Sequence, residues 1–236
     1  MTRLRDAVRV RAVTVRHRGS SVRCPLCGNG FDRFKDDWNR PDALCWRCGS
    51  HERHRAQWLL FERRPELLRE AASLLHFSPE WCLRERLSCR PGLRYVTTDL
   101  DPSQDVDLRL DVTALDLPDG AFDAVICSHV LEHVTDDGRA MRELRRVTAP
   151  GGWCLVMVPI DLTRNATYED PSITDPAARE RAFLQHDHVR LYAPDIADRL
   201  RAAGFDVEVV DMVSELGSDA QTYRLNASDL VFLCRP

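Results

Sequence analysis

Four cysteines stand in two CxxC pairs, Cys24-Pro-Leu-Cys27 and Cys45-Trp-Arg-Cys48, with 17 residues between them. Two thiolates from each turn can converge on one tetrahedral Zn2+ at about 2.3 Å per bond. Gly28 and Gly49 directly follow the second cysteine of each pair, as tight knuckle turns require. All four ligand positions would be thiolates, so the ion would be structural, with no position left for water. The other five cysteines (Cys82, Cys89, Cys127, Cys154, Cys234) are scattered, and in a reducing compartment paired CxxC turns read as metal ligands rather than disulfides. A second set of residues suits proton chemistry. His129, His133, His186 and His188 titrate near neutrality when unperturbed and are the natural general-base candidates.

These groups need elements to hold them. The chain has 236 residues, 44% hydrophobic and 30% charged, which excludes collagen, a low-complexity tail and global disorder. The length suits one large domain, or one domain plus a small module. No apolar run approaches the roughly 18 residues of a membrane span. The basic opening, MTRLRDAVRVRAVTVRHRG, lacks the apolar core of a secretory signal, so the chain reads as cytoplasmic with no membrane partner. Residues 1–60 carry a net charge of +7 and the remainder −11. A basic end on an acidic body suits an anionic partner. Lys35 is the only lysine, however, and that bias reads as coding composition rather than a built patch.

The predicted organisation is a basic arm over 1–19, a four-cysteine zinc ribbon over 20–52, and an α/β domain over 53–236. The ribbon has few apolar residues (Phe31, Phe34, Trp38, Leu44), so the ion would supply its folding free energy. A helix is predicted from Ser50, as N-cap, to about Arg64, burying Trp58, Leu59 and Phe61. Its cluster His51, Arg53, His54, Arg55 reads as a solvated face, or alternatively as a substrate mouth or phosphate contact. Apolar runs then alternate with amphipathic patterns, the sign of βαβ units. Strands are predicted at 73–78, 93–99, 107–112, 122–129, 153–159, 206–212 and 228–234, and helices at 80–89, 136–148 and 194–203. The stretch 161–190 has no strand pattern and reads as an insertion with a short helix over 177–183. Inserted segments of that length usually cover or form a site.

Asp119-Gly-Ala-Phe-Asp-Ala-Val-Ile-Cys-Ser-His-Val-Leu-Glu-His-Val134, followed by Glu143-Leu-Arg-Arg-Val-Thr-Ala-Pro-Gly-Gly-Trp153, resembles class I S-adenosylmethionine-dependent methyltransferases of the type 11 group. The resemblance runs from about Leu74 to the C-terminus and is specific over 95–160. With the ribbon, the whole chain also resembles zinc-ribbon-bearing bacterial methyltransferases. The resemblance implies a Rossmann-like seven-stranded, mostly parallel sheet in the order 3-2-1-4-5-7-6, with strand 7 antiparallel. In such a sheet the ligand lies beyond the carboxyl ends of the strands at the switch point. Asp99, after strand 2, would accept from the ribose hydroxyls, with Asp101 as competitor. Asp111, after strand 3, would accept from the adenine amino group, with Val112 and Leu115 on the adenine face. Ser128 and His129 would form the pocket wall after strand 4. The sequence departs from the family at the first loop, where a glycine-rich turn is expected and His76-Phe-Ser-Pro-Glu80 has no glycine. Ser78 holds the place of the first glycine, and Glu80 could pair with the cofactor ammonium.

Methyl transfer from a sulfonium is an in-line displacement, so alignment is the main demand and a base is needed only for a protonated acceptor. His188, His186 and His133 are the candidate bases, Tyr168 and Arg190 the candidate acceptor contacts, and Glu169 and Asp170 weaker ones. The leading reading is transfer to a small-molecule acceptor, of the kind found in specialised metabolism, with S-adenosylmethionine as co-substrate and one structural Zn2+. RNA is the second acceptor class, suggested by the basic ribbon but opposed by the acidic body and a sparse set of stacking aromatics. A non-catalytic zinc-ribbon adaptor on a degenerate methyltransferase body is the third reading. The acceptor atom and the oligomeric state are not encoded in any motif.

Overall fold

The computed structural model describes residues 13–38 and 40–236, so most of the expected basic arm lies outside the described residues. The chain forms two compact units.

The first unit takes the chain up to Pro65 together with Glu80–Cys89 and Asp211–Asp229. Two antiparallel pairs form its β-structure: β1 (Arg18–Arg23) with β2 (Gly30–Phe31), and β3 (Lys35–Asp37) with β4 (Arg40–Leu44). The first CxxC turn joins β1 to β2 and the second follows β4. Val22, Phe31, Phe34 and Ala43 are fully buried, whereas Trp38, another of the ribbon's few apolar residues, is fully exposed. The following helix, Glu52–Arg63, starts one residue later than predicted. Its N-cap is His51, whose amide donates to His54 Nδ1 at 3.1 Å, while Ser50 Oγ lies 3.2 Å from Cys24 Sγ instead.

The His/Arg cluster on this helix is not a solvated face. Arg55 is fully buried. Its guanidinium donates to the carbonyls of Ser50 (2.7 Å), Ala43 (2.9 Å), Tyr223 (2.7 Å) and Arg224 (3.2 Å), and lies over the Phe34 ring at 4.3 Å. One side chain thereby satisfies four carbonyls, and the two buried ones, of Ala43 and Ser50, would each cost about 1–3 kcal/mol unpaired.

The second unit holds Glu66–Pro79, Arg90–Val210 and Leu230–Pro236. Its strands are β5 (Ser73–Phe77), β6 (Arg94–Thr98), β7 (Phe122–Ser128), β8 (Thr148–Met157), the short pair β9 (Tyr168–Glu169) and β10 (Arg190–Leu191), β11 (Asp206–Val210) and β12 (Val231–Arg235). Six of them form one sheet in the order β11-β12-β8-β7-β5-β6. The pairs among β5, β6, β7 and β8 are parallel, and β12 is antiparallel to both of its neighbours. Every residue of β5 is buried, as expected of a central strand covered on both faces.

The sheet has six strands where seven were expected. The segment 107–112 makes only a single parallel bridge, Thr98 to Leu108. The cause is local: the Asp107 carboxylate accepts the Thr97 amide at 2.8 Å and its hydroxyl at 2.7 Å. A side chain thus takes the donor that a strand ladder would have given to a backbone carbonyl. With that segment counted as an edge, the six strands follow the expected order.

The helix Asp137–Val147 buries Ala140, Met141, Leu144 and Val147, a single stripe at helical spacing, and Asp136 caps it by accepting Arg139 N at 2.9 Å. The insertion is tied down rather than loose. It contains β9, the helix Pro176–Phe183 and β10, with Phe183, His188 and Arg190 buried. Asp137 anchors the next stretch, accepting Tyr192 Oη at 2.7 Å and pairing with Arg199 at 2.7 Å. Among the described residues no helix is long and apolar enough to cross a membrane.

Candidate functional site

In the first unit the four cysteines converge. Cys24 Sγ lies 3.6 Å from Cys48 Sγ, and Cys27 Sγ 3.6 Å from Cys45 Sγ, with all four sulfurs within 4.8 Å of one another. A tetrahedron with bonds of about 2.3 Å has edges of about 3.8 Å, so the cluster has the dimensions of a zinc site with four thiolate ligands. The knuckles are alike. Gly28 N donates to Cys24 O at 2.9 Å and Gly49 N to Cys45 O at 3.0 Å. Both glycines are left-handed, at φ +72° and +67°. That backbone is why glycine follows each pair.

In the second unit a cleft of about 490 Å³ opens beyond the carboxyl ends of β5, β6 and β7. Small-molecule pockets run to about 300–1,000 Å³. Ser78, Asp99, Asp111, Val112 and His129 line it together, with His133 and Asp187 at the same surface and Leu100, Leu110, Val130 and Val134 supplying apolar wall. Ser128 is buried one residue behind the lining.

Two of the lining residues are conformationally unusual. Ser78 directly follows β5 with φ +45°, and His129 directly follows β7 with φ +55°. For a residue with a Cβ that region costs about 1–2 kcal/mol. Each is held by a hydrogen bond that its backbone amide donates to the neighbouring strand: Ser78 N to Thr98 O at 2.8 Å, and His129 N to Met157 O at 2.8 Å. The chain therefore makes a glycine-like turn at Ser78 without a glycine.

The carboxylates of the cleft shape their own loops. Asp99 Oδ1 accepts the Asp101 amide at 2.8 Å, and Asp111 Oδ1 accepts the Thr113 amide and hydroxyl at 2.8 and 2.7 Å. Asp101 is turned onto Ser103, whose amide holds its carboxyl below the usual range. That leaves Asp99 as the better-placed acid for a ligand hydroxyl. Glu80 does not join the cleft. It belongs to the first unit, where its carboxylate pairs with His54 Nε2 at 3.2 Å.

Of the three expected bases, His133 reaches the lining and His188 lies buried beside it, their rings edge to face at 4.8 Å. His133 Nδ1 is 3.2 Å from Asp187 Oδ2, and His188 Nδ1 is 3.0 Å from Phe183 O. Burial pushes His188 below the usual histidine range. His186 is exposed and outside the lining. Tyr168 is also outside it, packed on Phe183 at 5.5 Å with the Arg164 guanidinium over its ring. Arg190 is buried. It pairs with Glu169 at 2.9 Å and donates to the carbonyls of Leu131 (3.1 Å), Val134 and Thr135 (2.9 Å). Its guanidinium holds the turn Leu131–His133 rather than facing the cleft.

Two residues of this cluster escaped the sequence reading. Glu132 is 1% exposed and lies 3.2 Å from His129 Nδ1. Burial pushes its carboxyl up, but His129 outweighs that and holds it below the usual range. Asp187 is the other. Both stand beside histidines that were singled out, Glu132 between His129 and His133, and Asp187 between His186 and His188. A carboxylate adjoining a candidate imidazole was the available signal.

Residues 85–156 match the methyltransferase domain family. A probable S-adenosylmethionine-dependent methyltransferase from Mycolicibacterium smegmatis is 33% identical over 105 residues, 44% of this chain and 36% of that protein. A demethylmenaquinone methyltransferase from Mycobacterium marinum is 29% identical over 126 residues, 52% of this chain and 53% of that one. A solved S-adenosylmethionine-dependent methyltransferase from Archaeoglobus fulgidus shares the fold, with a TM-score of 0.51 at 12% identity over 77% of this chain and 94% of that one. The chain spans about a third to a half of the length of the curated relatives it matches. Residues 85–156 thus match a methyltransferase domain, and the chain shares its α/β fold with a solved S-adenosylmethionine-dependent methyltransferase.

Proposed function

We propose that this chain is a class I S-adenosylmethionine-dependent methyltransferase of the type 11 kind, acting on a small-molecule acceptor. The observation that carries the reading is the pair of left-handed residues, Ser78 and His129, flanking a cleft that also exposes Asp99 and Asp111. The cofactor would supply a methyl group already activated on a sulfonium. The chain's own task is then to bind and align. Asp99 would accept from the ribose hydroxyls and Asp111 from the adenine amino group, with Val112 on the adenine face. Ser78 would bring its backbone close to the cofactor in the place of a glycine, and His129 would form the wall. Glu80 is spent on His54 and has no part in this arrangement.

The acceptor would enter at the His133 end of the cleft, where His133 and His188 are the residues left to act on it. Arg190 and Tyr168 would serve by holding that end in place. The demethylmenaquinone methyltransferase relative, named for a small-molecule reaction, supports that acceptor class. The four-cysteine cluster would hold one structural Zn2+ in a ribbon, since four thiolates leave no open position.

Incubation of the zinc-loaded protein with methyl-labelled S-adenosylmethionine and a fractionated bacterial extract tests the acceptor. Label in the low-mass, nuclease-insensitive fraction is expected. Label in RNA instead would overturn the small-molecule reading in favour of RNA. Label in no fraction would favour the adaptor.

A further inference from the structure

Glu132, His133 and His188 each present a ligand atom, and these atoms lie within 4.8 Å of one another. Hydrogen bonds sort the ring nitrogens. Phe183 O can only accept, so His188 Nδ1, 3.0 Å away, carries the proton and the lone pair sits on Nε2. The Asp187 carboxylate fixes His133 in the same tautomer from 3.2 Å. Between them Glu132 is 1% exposed. Neither of its carboxylate oxygens has a hydrogen-bond partner, and the contact with His129 is an ion pair at 3.2 Å. Among the described residues His129 is the one cationic group paired with Glu132, and His133 and His188 add two imidazoles, each with a lone pair left on Nε2, to the same cluster. A buried cluster so rich in donor atoms gains from a further cation.

We propose that Glu132, His133 and His188 bind a divalent first-row transition ion of the zinc type at the wall of the cleft, separate from the cysteine cluster. Two imidazoles and one carboxylate are the donor set of metal centres that keep an open position. The Phe183 carbonyl and the Asp187 carboxylate supply the outer partners that fix imidazole orientation in such centres. Bonds of about 2.0–2.2 Å place tetrahedral ligand atoms about 3.3–3.6 Å apart. His133, half-exposed at the lining, is the member with room to turn.

The open position then faces the cleft. On the methyltransferase reading, which the metal site itself does not need, the acceptor belongs to the class that offers a hydroxyl or carboxylate oxygen to an ion. The His133 lone pair is thereby committed to the ion rather than to a proton.

Metal content of the purified full chain, measured after equilibration with Zn2+ and again with Co2+, tests the site. Two ions per chain are expected in the unaltered protein. Glu132→Gln, which keeps the side-chain shape, and His133→Ala, at a half-exposed position, should each retain one. In the Co2+ form the thiolate charge-transfer band should persist in both variants while the weaker nitrogen/oxygen-site absorption is lost. Near-ultraviolet circular dichroism checks that each variant is folded. One ion per chain in the unaltered protein, or two that survive both substitutions, would overturn the proposal. Two ions in a chain that fails to bind S-adenosylhomocysteine would leave the metal site standing and remove the methyltransferase reading instead.

Discussion

Ser78 adopts a glycine-like backbone at a position where the sequence has no glycine. Its φ of +45° is one glycine adopts freely and other residues adopt at a cost. Ser78→Gly should therefore raise the denaturation midpoint or leave it unchanged, by up to about 1 kcal/mol, with cofactor affinity kept. Ser78→Val should lower stability by about 2 kcal/mol, because a β-branched side chain is least tolerated at positive φ. Urea titration of the three proteins reads both effects. The sequence placed Ser78 at the glycine position but could not reveal that its backbone had turned left-handed. Arg55 and Arg190 were illegible for a different reason. Arginine is rarely buried unless paired, and the carbonyls that receive these two come from distant parts of the chain, Tyr223 and Arg224 for Arg55 and the turn around Leu131 for Arg190.

At the scale of elements, Asp137 joins its own helix to the stretch after the insertion. Burial pushes its carboxyl up, but Arg199, Tyr192 and Arg190 outweigh this and hold it below the ordinary 3.8. A carboxylate depressed in the folded state releases its proton at lower pH there than in the unfolded chain. Its stabilisation is therefore complete above about pH 4–5 and lost as pH falls through the folded value. Asp137→Asn should cost about 3 kcal/mol at pH 7, since it leaves buried Arg190 and part-buried Arg199 short of a charge partner. The variant should also lose less stability than the unaltered protein between pH 5 and 3, as read from urea midpoints. The strand positions of the sheet were legible because buried parallel strands carry apolar runs, as Leu74 and Leu75 in β5 and residues 124–127 in β7 do. The segment 107–112 misled because its alternation suits a strand, whereas the Asp107 side chain captures the donor the ladder needs.

At the scale of the molecule, one compact unit holds the four-cysteine cluster and the other the cleft. The cysteine set was legible from spacing alone, because CxxC turns bring their ligands together locally. The cleft was legible only through the resemblance to methyltransferases, since Ser78, Asp99, Asp111 and His129 come from four separate loops. Glu132 was missed because its meaning lies in what surrounds it: His188, which arrives from more than fifty residues away. That the first unit gathers Glu80–Cys89 and Asp211–Asp229 was likewise invisible, as no periodicity marks contacts across such separations. On the proposed reading, the glycine-free cleft binds the methyl-donor cofactor. Isothermal titration of the zinc-loaded protein with S-adenosylhomocysteine, beside Asp99→Ala, tests it most directly. Micromolar-range binding is expected, falling at least tenfold in the variant, about 1.4 kcal/mol or more, as for a lost hydrogen-bonding carboxylate. No binding by the folded, unaltered protein, or binding indifferent to Asp99, would contradict it.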